Sequence, residues 1–180
     1  MKTLALLISL SLFGAQATLA QESPSRYYKL YNQAVIFERI YAADSINKTE
    51  LLNLLQVAIP KIPGFINYRV NGDIITGRII NGLVDYKRFG HSLVGTPLLI
   101  MDPYNAAVTI EVKDGKYRVT LSSIVFNSQV GTVKEMNRMD DYVANKDKTL
   151  WKTGNSAQKI LKYTDEYFSA IFTLPTDARW

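Results

Sequence analysis

The apolar positions along this chain recur with two different periods. Leu51, Leu52, Leu54, Leu55, Ala58 and Ile59 fall on one face of a helix. Asn47 stands where an N-cap belongs, and Glu50 three residues on closes a capping box. Ile46 and Leu51 bracket that cap as a hydrophobic staple. Pro60 ends the helix, because its ring clashes with the preceding turn. Burying four Leu and one Ile at about 1.5–3 kcal/mol each outweighs a cap worth about 1 kcal/mol. The stripe therefore docks the helix, and the cap fixes where it starts. Asn47-Lys48-Thr49 also reads as a glycosylation sequon, but the cap reading uses Ile46, Glu50 and Leu51 as well. A second helical face is Ala157, Ile160, Leu161, Thr164, Tyr167, Phe168 and Ile171, capped by Asn155 or Ser156 and barred from continuing by Pro175.

Elsewhere the pattern alternates. Tyr27 to Tyr41, rich in Tyr, Val, Ile and Phe, predicts one strand ending near Tyr41. Phe65–Val70 and Ile74–Tyr86 predict two more, with Asn71-Gly72 suited to a type I′ turn between them. A second Asn-Gly, at Asn81-Gly82, predicts a bulge or bend. The clearest hairpin turns at Asp114-Gly115. A two-residue turn there sets Val112 opposite Tyr117, Ile110 opposite Val119 and Val108 opposite Leu121, all on one face. On the other face Glu111 meets Arg118 and Thr109 meets Thr120. Ser122–Val130 continues the strand with its alternation broken, as a bulge would break it. Gly131–Trp151 is polar with scattered Val133, Met136, Met139 and Val143, and reads as a loop with a short helix. The order predicts the α+β class: an antiparallel sheet of about five strands with two helices packed on one face.

The first twenty residues are organised differently. Lys2 is a short positive region, Leu4–Phe13 is almost wholly apolar, and Ala15–Ala20 is rich in small residues. That order is a secretory leader, cleaved near Ala20, and an apolar run of about ten residues is too short for a bilayer anchor. The expected organisation is a leader over 1–20, a polar tail and first-strand lead-in over 21–34, one domain over 35–174 and a tail over 175–180. The location that follows is the periplasm or beyond the cell, with no transmembrane anchor.

Composition narrows the chemistry. There are no cysteines, which excludes disulfides, thiolate metal sites and a Cys nucleophile. The formal charge is +5, but between Lys134 and Lys162 the basic residues alternate with Glu135, Asp140, Asp141 and Asp147. That is a solvated face rather than a phosphate-binding stripe, so no nucleic acid is expected. His91 is the single histidine. A triad around it would need Ser92 as nucleophile and Asp85 or Asp102 as orienter, and adjacency of His and Ser is the wrong geometry. Glu38 and Glu111 are the candidate acid pair for glycoside hydrolysis, although Arg118 stands opposite Glu111. Asp140-Asp141 and Asp102-Pro103-Tyr104-Asn105 do not match a calcium loop. No catalytic, cofactor or metal residues are assigned. Tyr27, Tyr28, Tyr31, Tyr104, Trp151 and Trp180 could form a sugar- or peptide-binding surface. The candidate binding positions drawn from these arguments are Phe89, His91, Tyr104 and Trp151.

The capped helix at Asn47–Ile59, then Thr76-Gly77-Arg78-Ile79, then Val112-Lys113-Asp114-Gly115-Lys116-Tyr117-Arg118 together resemble a secreted domain of unknown function found in Bacteroidota. That domain is described as having a fold like the TATA-box-binding protein. The resemblance covers roughly residues 35–126 and implies a curved sheet packed by helices. It carries no catalytic residues, because none are known for the family. DNA binding does not follow from it: a minor-groove binder of that fold uses two repeated halves, and one half is present here. The expectation is therefore an exported, non-enzymatic envelope module that binds an unknown protein, peptide, glycan or lipid through its sheet face or the Phe89–Thr96 loop. The alternatives are a hydrolase of envelope polymers and a carrier of lipid or another small ligand.

Overall fold

The computed structural model describes residues 25–130 and 132–175. The leader, most of the polar tail, Gly131 and Trp180 lie outside the described residues. The chain order is β1 (Tyr28–Tyr31), β2 (Ala34–Ala42), α1 (Lys48–Ala58), β3 (Phe65–Asn71), β4 (Ile74–Gly82), β5 (Tyr104–Lys113), β6 (Lys116–Val130), β7 (Val133–Arg138), α2 (Met139–Val143) and α3 (Asn155–Ile171). The strands form one antiparallel sheet in the order β1-β2-β6-β5-β4-β3, with β7 also paired to β6. The α+β class stands, with seven strands rather than about five.

Two elements account for the difference. The predicted single strand over Tyr27–Tyr41 is a hairpin: Tyr31 pairs with Ala34, and Asn32 and Gln33 between them take φ of 48° and 59°. Two successive positive φ values turn the chain as a type I′ hairpin does. The stretch read as a loop with a short helix supplies both β7 and α2. β7 is exposed at nearly every position, so it lacks the alternation that would have marked it.

The Asp114-Gly115 hairpin has the expected register in every pair, including Glu111 opposite Arg118 and Thr109 opposite Thr120. Its six apolar members are all buried. The break after Leu121 is a bulge, with Ser123 at positive φ, and Asn81-Gly82 is another. The first Asn-Gly behaves differently. Asn71 pairs with Ile74, so the turn residues are Gly72 and Asp73. Gly72 takes the positive φ that the first central position of a type II′ turn requires.

Asn47 caps α1, its Oδ1 accepting from the Glu50 amide at 3.0 Å. Asp114 reinforces that end from the hairpin, accepting from the Lys48 amide at 2.7 Å. A carboxylate there suits the positive end of the helix dipole. The last helix departs from expectation: Gly154 occupies its N-cap with no side-chain bond, and Asn155 is already helical.

The core lies between one face of the sheet and the helices. Alternate residues of β5, from Tyr104 to Val112, are buried, and the intervening ones lie on the open face. Tyrosine hydroxyls latch α3 onto this core. Tyr28 donates to Thr164 Oγ1 at 2.6 Å, Tyr41 to the Ser169 carbonyl at 3.2 Å, and Tyr117 to the Phe172 carbonyl at 2.7 Å. Burial pushes the Tyr28, Tyr41 and Tyr104 phenols well above their ordinary 10.0, and Tyr117 up to about 12. An unfolded chain gives up these protons near pH 10 while the folded chain keeps them. The folded state therefore binds more protons above that pH, and its stability falls as pH rises. We expect urea midpoints to hold steady approaching pH 10 and to drop steeply as it rises toward about 12, alongside a late rise in tyrosinate absorbance. Midpoints unchanged across that window would contradict the burial of these phenols.

Candidate functional site

α1 carries more apolar surface than the sheet can cover. Leu51, Leu55 and Ile59, at i, i+4 and i+8, are buried against the core. Leu54 and Ala58 on the adjoining ridge are half-buried, and Val57 is 62% exposed. This second ridge forms one wall of a groove. The wall continues through the 3₁₀ turn at Ile59–Lys61 into Ile62 and Pro63. Opposite stand Ile171 at the end of α3 and the segment Thr173, Leu174, Pro175. The space between has a volume of about 970 Å³. A smaller hollow of about 260 Å³ shares Leu54, Thr173, Leu174 and Pro175 with it, and reaches the stacked rings of Tyr41 and Tyr117, whose centroids are 4.9 Å apart.

Polar groups border the groove at Asn47, Thr49, Glu50 and Asn53. Among the described lining residues Lys61 is the single cation and Glu50 the single acid. Asn47 is already engaged as the cap. An apolar floor with a few polar groups at its margin is the usual character of a small-molecule site. The apolar character of the described lining suits binding of an apolar group.

The residues singled out from the sequence do not gather into one surface. Tyr104 and Trp151 are packed in the core and present no face to a ligand. Tyr28 is equally buried, whereas Tyr31 is exposed on the first hairpin. Phe89 ends a short 3₁₀ turn, half-buried, with the Arg88 guanidinium 5.9 Å from its ring centre. His91 does have a carboxylate partner, but it is Glu166 of α3, 2.5 Å from Nε2, and not Asp85 or Asp102. The imidazole also stacks on Tyr163 with ring centres 3.8 Å apart. Asp85 caps the turn at the Arg88 amide, Asp102 accepts from Ser128, and Ser92 Oγ accepts from the Val94 amide. His91 is thus part of a clasp that pins the Tyr86–Thr96 loop to α3. Glu38 and Glu111 are each held by a cation, Lys29 and Arg118, at 2.5 Å. The groove itself was legible only in part: the sequence places Leu54, Ala58 and Ile171 on apolar helix faces, but which of them the core leaves uncovered depends on the docking of both helices.

Comparison with known structures places this architecture. One similar structure is described as a TBP-like protein from Parabacteroides distasonis ATCC 8503, with a TM-score of 0.57 and 16% sequence identity. The match covers 79% of this chain and 90% of that one. The fold is TBP-like, an open antiparallel sheet packed by helices. A DUF4468 family protein from Bacteroides ovatus ATCC 8483 superposes with a TM-score of 0.50 and 17% identity, over 87% of this chain and 99% of the other. Both neighbours come from Bacteroidota, and the chain fits a domain of unknown function with a TBP-like fold, in line with the resemblance read from the turn and hairpin motifs. No family model and no curated protein matches the sequence. At these identities the likeness concerns the fold alone. No helix among the described residues is long and apolar enough to cross a membrane.

Proposed function

We propose that this chain is an exported, non-enzymatic binding module of the cell envelope, and that the groove between α1 and the end of α3 takes the alkyl chain of a small amphiphile. The observation that carries this reading is the apolar ridge of Leu54, Val57 and Ala58 facing Ile171 and Leu174 across about 970 Å³. Helical walls favour an alkyl chain over an extended peptide. Helix backbones satisfy their own hydrogen bonds, so a peptide strand would find no main-chain partners there. Lys61 at the margin gives a carboxylate or phosphate head group a cation to meet. The leader at Met1–Ala20 supports export. The hydrolase alternative would need a Ser and a carboxylate around His91 in one cleft, or two free facing acids. His91 is clasped to Glu166, Ser92 Oγ is turned to the Val94 amide, and Glu38 and Glu111 are each ion-paired.

The test is displacement of a fluorescent apolar probe by dodecanoate, with wild type compared to Leu54→Glu. We expect saturable displacement by wild type and at least about tenfold weaker binding in the variant, the equivalent of about 1.4 kcal/mol. Circular dichroism would check that the variant keeps its fold. Absence of saturable binding, or equal affinity in a folded Leu54→Glu chain, would remove this reading.

A further inference from the structure

We infer that the loop between β4 and β5 is a membrane-contact surface that seats Leu93, Val94 and Leu98 among lipid acyl chains and sets its basic flank on anionic head groups. Single exposed apolar residues are ordinary on a protein surface. Here three stand within six residues, exposed by 56%, 89% and 80%. A side chain as exposed as Val94 projects outward and lines no hollow. A cluster of this kind is a candidate contact surface.

The loop is held rigid while it exposes these groups. Its base is the clasp of His91 on Glu166 and Tyr163. Its tip is tied by Val94 N–H donating to Ser92 Oγ at 3.0 Å, Thr96 N–H to the Leu93 carbonyl at 3.2 Å, and Thr96 Oγ1–H to the Ser92 carbonyl at 2.6 Å. The Lys159 ammonium donates to the Gly95 carbonyl at 2.7 Å. Little ordering remains to be done on contact, which is the condition under which a small apolar surface binds usefully.

Charge selects the occupant. Lys87 and Arg88 are exposed on the same loop. Lys159 and Lys162 lie on the side of α3 that bears Glu166, one turn apart. Against these cations stand Asp85 and Glu166, the latter already paired with His91. An apolar tip flanked by Lys and Arg matches the interfacial region of an anionic bilayer, where both kinds of group find their partners. This surface is distinct from the groove. Lys159 and Ile171 are about 18 Å apart along α3, so the two can be tested separately.

The absence of cysteine permits a single label at will. Val94→Cys carries an environment-sensitive dye, and Met136→Cys, 81% exposed on β7, carries the same dye as a control within the same full chain. Added to phosphatidylglycerol vesicles, the Val94 label should shift to the blue and be quenched by a lipid-borne spin label. The Met136 label should stay aqueous, so that attachment through another part of the chain is told apart. Lys87→Glu with Arg88→Glu should cut vesicle affinity at least about tenfold, and phosphatidylcholine vesicles should bind correspondingly weakly. An aqueous Val94 label on anionic vesicles, equal responses at both positions, or equal binding to neutral vesicles would overturn the inference. So would a Val94 response to a lipid-free envelope protein fraction without any response to vesicles.

Discussion

Phe168→Ala should remove about 3–5 kcal/mol of stability, a large part of the 5–15 kcal/mol that a domain of this size possesses. Phe168 is wholly buried, and its ring meets Phe37 at 5.6 Å and Tyr104 at 5.2 Å between centroids. It is the point at which α3 touches the rings of β2 and β5 together. Truncation loses the transfer energy of the ring and leaves a cavity among Phe37, Tyr104 and Tyr167 that these close-packed rings fill only in part. In urea the midpoint should fall with the slope unchanged. A loss under about 1 kcal/mol would mean that α3 is not docked as described.

Gly64→Ala should cost at least about 2 kcal/mol, for two reasons that add. Gly64 has φ of +77°, where an L side chain is strained. A Cβ there would also stand 2.4 Å from the Ile80 carbonyl oxygen, which is backbone and cannot swing aside. The same close approach carries the Ile80 N–H to Gly64 carbonyl bond of 2.9 Å. Gly72→Ala is the matched control: φ is +60°, but nothing lies within 4 Å of the added Cβ. It should lose only the conformational part, about 1–2 kcal/mol. Equal losses in the two would refute the close approach. Because Gly64 follows Ile62 and Pro63, its variant should also weaken alkyl binding in the groove.

The parts of the fold legible in the sequence were those where local chemistry and periodicity agree. At Asp114-Gly115 the turn residues and the alternation on both flanks point to one register, and that register is present. At Asn47 the cap, the staple and the stripe all describe the same helix. The first hairpin was illegible because Gln33 has no preference for positive φ, and the run of Tyr, Val and Ile continues across the turn. β7 was illegible because its residues contact solvent at nearly every position, leaving no pattern to read. The aromatic residues misled for another reason. A Tyr or Trp suits a binding face and a core equally, and Tyr104 and Trp151 went to the core. The groove needs α1 and the end of α3 to lie side by side, a tertiary relation that neither helix encodes alone.

That groove is the proposed seat of the ligand. Amide and methyl NMR spectra of the labelled chain, recorded through a titration with dodecanoate, test it most directly. Saturable shifts should concentrate at Leu54, Val57, Ala58, Ile171 and Leu174, with the Leu93–Leu98 loop unmoved. Shifts that fail to saturate, or that gather on the open face of the sheet instead, would contradict it.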